Sequence, residues 1–340
     1  MAISVLRYVV DIPPELAEKM NHLVRSGRYK FPQDFIIAAM QNQAYIESQE
    51  GLAQLESTNP SVDFPSSKTA DQLIQLLKPP PQTGVRTVAI SNFPRPEYLW
   101  GQYNRIFPVK VIARVASNLA KRNESSYVPL GELREVSAEL ARTIGRDIVR
   151  AEKKTGRKRG DIISAGLPTG SNQEKAKARF KNQFVGYLSE KRMEGAAPTL
   201  RFLELSKDVG NIVSAGITDF GLKFAAYDSP VIDSQDYSIP FSSDEVDFLL
   251  EHLASQLPEE AKLMRLVLSG VKEGVSTPES LNDRMKSYNS GWSDVERSTM
   301  RAGVISRVSE LGLLDRKKNG VKVTYLVTEL GEKYLQRLAD

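Results

Sequence analysis

The chain has 340 residues, 41% hydrophobic and 26% charged, with a formal net charge of +4. That length predicts two or three domains rather than one core. Cysteine is absent and His22 and His252 are the two histidines, which excludes disulfide frameworks, thiol catalysis, Cys/His zinc sites and most histidine-based triads.

The opening stretch MAISVLRYVVDIPP alternates like a strand over Ser4–Asp11 and lacks the basic start and cleavage site of a signal peptide. No apolar run approaches the roughly 18 residues that cross a bilayer, so no membrane partner and a cytoplasmic location are expected. Pro13-Pro14-Glu15 opens a helix with Leu16, Met20, Leu23 and Val24 at helical spacing, and Ser26-Gly27-Arg28-Tyr29 stops it. A second helix over 32–48 carries Phe35, Ile36, Ala39, Met40 and Tyr45.

This strand, the PPEL helix start and the SGRY turn resemble the ribbon-helix-helix family. The resemblance implies an obligate dimer whose paired strands enter the major groove. A reading ribbon needs polar outer side chains, yet both faces here are apolar except for Arg7. Residues 1–50 are therefore expected to form a homodimer rather than read DNA; a small helical hairpin packed on the rest is the other reading. Residues 51–97 read as a Pro-rich linker, polar over 51–68, with a short helix at Ala70–Lys78 ended by Pro79-Pro80-Pro81 and an extended stretch to Pro96.

The charge is uneven beyond that point. Residues 142–193 hold 14 basic and 5 acidic side chains, net +9; residues 194–257 hold 3 and 11, net −8. A block of +9 suits an anionic partner, nucleic acid first. A basic face paired within the chain to the acidic segment explains the same numbers.

The C-terminal segment, 258–340, has the clearest pattern. Pro258 opens a helix with Leu263, Leu266 and Val267, and Thr277-Pro278-Glu279 opens a second. Ser293-Asp294-Val295-Glu296 is a capping box for a third that ends at Gly312. A charged turn, Asp315–Gly320, precedes a strand with Val321, Val323, Tyr325 and Val327 on one face, and Thr328-Glu329-Leu330-Gly331 opens a last helix. Three helices and a basic-tipped hairpin, with SELGLLDRKKNG and YLVTELGEKYL, resemble the winged helix-turn-helix family in its MarR/PadR-like form.

The middle segment, 98–227, repeats this ending. Ile217-Thr218-Asp219-Phe220-Gly221 mirrors Val327-Thr328-Glu329-Leu330-Gly331, and Ser171-Asn172-Gln173-Glu174 mirrors the capping box. From Glu174 to Thr218 is 44 residues, against 32 from Glu296 to Thr328, and the extra length falls in a longer wing at 201–215. Its earlier helices are expected at Val109–Lys121 and from Leu130 toward Lys154. The fold class expected is mainly α with small β-wings: a ribbon-helix-helix-like start, then two winged helix domains joined by an acidic connector and helix at 228–257.

On the helix from Ser171, Phe180, Phe184, Tyr187 and Leu188 mark an inner face. Lys175, Ala178, Arg179 and Asn182 mark the outer one, with Lys181 on its flank. Arginine and asparagine make bidentate contacts to guanine and adenine edges. The preceding run Lys153, Lys154, Arg157, Lys158 and Arg159 suits a phosphate backbone. A solvated amphipathic helix is the plainer reading. On the last repeat the third helix would turn Glu296, Thr299, Gly303, Ser306 and Glu310 outward, a poor groove reader, while its wing offers Arg316, Lys317 and Lys318 to phosphates. Trp292 reads as a core residue or an exposed contact, and His252 as a packing residue rather than a base.

No phosphate-binding loop, two-histidine metal motif or cofactor signature occurs. A carboxylate-and-lysine nuclease survives the loss of cysteine and histidine, and Asp147 with Glu152-Lys153-Lys154 is its nearest candidate. The expected function is double-stranded DNA binding, sequence-specific or architectural, by a dimeric, non-enzymatic transcriptional regulator without cofactor. Plasmid or phage replication and partition proteins, and a scaffold docking protein partners through its winged helices, remain alternatives.

Overall fold

The computed structural model describes residues 14–25, 31–32, 36, 73–81, 83–157, 162–208, 210–319 and 322–337. Contacts divide the chain into two units, 1–66 and 67–340. In the first, helix α1 (Pro14–Arg25) starts at the Pro-Pro-Glu signal and buries Met20. The strand expected at Ser4–Asp11, the turn at 26–29 and most of the second helix lie outside the described residues.

The second unit begins earlier than its composition suggests. Leu76 and Leu77 form a 3-10 turn, Gln75–Leu77, and are buried before Lys78 leaves with extended backbone toward the prolines. The stretch read as a linker then docks. Val88 N–H donates to Ile217 O at 2.9 Å, and Pro94 O accepts from Met193 N–H at 2.8 Å.

Helix α2 (Phe107–Arg122) is buried on nearly every side: Val109, Val111, Ile112, Val115 and Leu119 are covered together with Lys110 and Arg114. Buried cations need partners, and both are matched. Lys110 Nζ meets Glu245 at 2.7 Å and donates to Phe224 O and Tyr227 O, while Arg114 grips Asp233 through both Nη atoms. Strand β1 (Tyr127–Pro129) leads into helix α3 (Leu130–Thr155), which covers the predicted second helix.

Next come helix α4 (Gln173–Phe180), continued by a π-turn at Lys181–Val185, then strands β2 (Tyr187–Leu188) and β3 (Met193–Glu194) and the short helix α5 (Ala196–Thr199). Strands β4 (Leu203–Lys207) and β5 (Val213–Ile217) form the expected longer hairpin, followed by helix α6 (Asp219–Ala226). The sheet order is β1-β5-β4, antiparallel, with Tyr127 opposite Gly216 and Leu203 opposite Ile217.

Helices α7 (Pro230–Asp233) and α8 (Ser243–Gln256) lead to α9 (Pro258–Lys272), α10 (Pro278–Met285) and α11 (Asp294–Glu310). Strands β6 (Leu314–Asn319) and β7 (Lys322–Val327) and helix α12 (Glu329–Arg337) finish the chain. Tyr325 N–H donates to Ser276 O at 3.0 Å, so the segment before α10 edges this hairpin as β1 edges β5.

The two repeats close in the same way. Thr218 N–H donates to Phe202 O and Thr328 N–H to Leu313 O, each at 3.1 Å. Each threonine hydroxyl then accepts from the glycine three residues on, Gly221 or Gly331, capping the next helix. A Cβ on either glycine would lie 2.2 or 2.3 Å from that same carbonyl oxygen, which is why both positions are glycine.

Three expectations need correction. The cap of α4 is Asn172, whose Oδ1 accepts from Lys175 N–H at 3.1 Å, so the helix starts one residue later than a Ser171 box would place it. The helix also stops early: Gly186, at φ 95°, redirects the chain and puts Tyr187 and Leu188 in a strand. Asp315–Asn319 form strand β6, not a turn, because each pairs with β7. By contrast, the Ser293–Glu296 box is made in both directions, at 3.2 and 2.8 Å.

Candidate nucleic-acid interface

The local geometry of α4 is set by α3. Arg142 Nη1 donates to Pro168 O at 2.7 Å, holding the approach to α4, and Gly145 lets Thr169 come close. Phe180 and Phe184 fill the core behind α4, as the aromatic spacing predicts. Two lysines then clamp α4 along α3: Lys177 meets Glu139 at 2.5 Å and Lys181 meets Glu135 at 2.6 Å. Asn182 Oδ1 accepts from Arg134. Lys181 and Asn182, read as groove-facing, are therefore engaged with α3, while Lys175 and Arg179 stay exposed.

Helix α3 extends this surface in the other direction. Glu135, Glu139, Arg142, Arg146, Arg150 and Lys153 recur every three or four residues and share one side of the helix. The acidic end serves α4, and the basic end leaves Arg146, Arg150 and Lys153 exposed, with Lys154 beside them. Arg150 touches Asp147 at 2.9 Å, but both are well exposed, so the pair holds it weakly. Arg146 and Arg150 were not singled out from the sequence, although the period continuing past Arg142 carries the signal.

The basic loop is clipped at both ends. Gly156, at φ 65°, caps α3, and the Arg157 guanidinium donates to Ser238 O. Glu152, read as a potential nuclease carboxylate, turns inward: it accepts from Ile163 N–H at 2.5 Å, Ser164 N–H at 3.0 Å and Ser164 Oγ at 2.6 Å. It anchors the return of the loop. Lys158 and Arg159 lie outside the described residues.

The acidic segment does not neutralise this surface through its described ion pairs. Glu204, Asp233, Glu245 and Asp247 pair with Arg95, Arg114, Lys110 and Arg337, all outside 142–193. Glu194 pairs with Arg192, at the far end of the block.

The last repeat presents its parts differently. The α11 side expected to face outward packs against residues 99–107. A Cβ on Gly303 would lie 2.5 Å from Gly101 Cα, and Glu310 accepts from Ile106 N–H at 2.6 Å and Phe107 N–H at 3.2 Å, capping α2 from another helix. Arg307 is fully buried, bound to Glu260 and to Leu99 O and Tyr103 O. On the hairpin, Arg316 stands opposite Tyr325 and bonds its hydroxyl, with Lys317 on the other face and both Lys317 and Lys318 exposed.

Trp292 is buried against Tyr98 and Tyr288. His252 is buried among Phe202, Phe220 and Phe248, with Nε2 at 2.7 Å from Leu200 O; burial lowers its pKa to about 4. Among the described residues no helix is long and apolar enough to cross a membrane. No protein-family model matches the chain, and no curated protein or solved structure is detectably similar to it.

Proposed function

We propose that the protein binds double-stranded DNA as a dimeric transcriptional regulator, with the DNA face on its first winged helix. Helix α2, strand β1, helices α3 and α4, and hairpin β4–β5 follow the winged-helix order, with β2–β3 and α5 inserted. The observation that carries the reading is the selective exposure of α4: Lys177 and Lys181 are tied to carboxylates of α3, while Lys175 and Arg179 face solvent. Those two side chains enter the groove. Arg146, Arg150, Lys153, Lys154 and the 157–159 loop follow flanking phosphates, with Lys317 and Lys318 as a separate phosphate contact. The N-terminal module joins two chains.

Electrophoretic mobility shift on a mixed-sequence duplex across a salt series tests this. Replacing Lys175 and Arg179 by alanine is expected to weaken binding by about 1–3 kcal/mol per lost base contact, and replacing Arg146 and Arg150 to flatten the slope of log affinity against log salt by about 2, one unit per lost phosphate contact. No retardation of any duplex at low salt sinks the proposal. For the dimer, light scattering of the full chain against one lacking residues 1–50 should show the mass per particle halved or more.

A second reading, docking of protein partners, draws on one observation. The outward side of α11 is covered by residues 99–107 of the same chain, which leaves the last repeat without a helix free to enter a groove.

A further inference from the structure

A cleft of about 650 Å³ lies where the first repeat meets the start of α9, lined by Ile90–Glu97, Arg201 and Gln256–Glu259. Its size falls within the range of small-molecule sites. Two arginines stand in it, Arg95 and Arg201; of its two carboxylates, Glu97 is exposed and Glu259 is engaged by Lys262 Nζ and the Tyr288 hydroxyl. The side chain of Arg95 is 7% exposed; Nη2 is spent on Glu204 at 3.0 Å and on Ser91 O at 2.9 Å, and Nη1 is buried without a partner. Arg201, among the described residues, makes no side-chain hydrogen bond or ion pair. Burial, and then the charge of Arg95, lower its pKa from the usual arginine value.

The backbone at Arg201 gives an independent sign. Its φ is 58°, a left-handed conformation that suits glycine, and the equivalent residue of the last repeat is glycine, Gly312 at φ 73°. The first repeat thus keeps a long cation at a strained position where its own duplicate shows that glycine suffices. Strain of this kind is retained where the side chain has work to do.

We propose that this cleft binds a small organic oxyanion. The oxyanion bridges Arg95 Nη1 and the Arg201 guanidinium, and an apolar body rests on Phe93 and Pro94. Glu204 acts from behind, as a positioning residue that aligns Arg95 through Nη2.

The test follows thermal unfolding of the full chain, without DNA, in chloride buffers of matched ionic strength. Phenyl phosphate and benzoate are the probes, sharing a ring and differing in the oxyanion. At tenfold over Kd the midpoint is expected to rise by roughly 2 °C with at least one of them. Arg201→Gly relieves the strain, so it should fold at least as well and lose the response. Arg95→Lys, which keeps a charge for Glu204 but lacks the second amino group, should weaken it at least tenfold. A response to phenyl phosphate alone assigns a phosphate ester, and one to benzoate alone a carboxylate. An equal rise in the wild type and Arg201→Gly, the mark of a general ion effect, overturns the proposal. So does no rise with either probe. Neither result depends on whether the protein binds DNA.

Discussion

The two repeats end in the same threonine-glycine closure but use their third helices in opposite ways. Helix α4 is short, set against α3 by two ion pairs, and leaves Lys175 and Arg179 in solvent. Helix α11 is twice as long and buries Gly303, Arg307 and Glu310 against the entry to α2. One repeat exposes a charged surface, and the other has turned the corresponding surface into an internal joint. A shared topology therefore does not decide which face is available; the side chains at the crossing do.

The largest effect should come from breaking that joint. Gly303→Leu forces a side chain into the Gly101 backbone, and overpacking against backbone is expected to cost about 3 kcal/mol or more. Urea denaturation of the full chain measures it; a loss below 1 kcal/mol would mean the crossing can open.

The His252 cluster, inside the core that both repeats share, should respond to acid on a similar scale. Its folded pKa of about 4 lies below the unfolded value near 6.5. The unfolded chain therefore binds the extra proton first. This contribution is complete above pH 6.5 and is lost as pH falls toward 4, up to about 3 kcal/mol. His252→Gln should flatten that part of the stability–pH curve, and an unchanged slope would show that other groups set it.

Next in size is Glu310→Ala, which uncaps α2 by leaving Ile106 and Phe107 N–H without their acceptor, at about 2 kcal/mol. The same denaturation measurement reads it. On the other side of the comparison, Lys175→Ala with Arg179→Ala should change stability by less than about 0.5 kcal/mol, because neither is packed. A larger loss would show that α4 is as structural as α11.

Much of this fold was legible in the sequence. The Pro-Glu and Thr-Pro-Glu starts, the Ser293–Glu296 box, the longer hairpin of the first repeat and the Thr-Gly repeat are local signals, resolved within a turn or two of chain, and they appear where expected. Three misreadings share a cause. The linker stretch docks through backbone groups of Val88 and Pro94, which composition does not encode. Lys181 and Asn182 are drawn inward by Glu135 and Arg134, more than 40 residues away in sequence. Gly303 and Glu310 look outward on a helical wheel, until Gly101 and the start of α2 arrive to cover them.

The formal charge of +4 said little until it was divided along the chain, and the sequence alone determined that division: net +9 over 142–193 against −8 over 194–257. Tertiary structure decided what the charges do. The acidic segment sends Asp233 and Glu245 inward to Arg114 and Lys110, cations of the largely buried α2, where an unpaired charge would be costly. The basic segment keeps Lys153, Lys154, Lys175 and Arg179 in solvent. Sequence fixes which charges exist, because each residue carries its own. Burial and pairing depend on neighbours brought together from far along the chain, and only the folded structure supplies them.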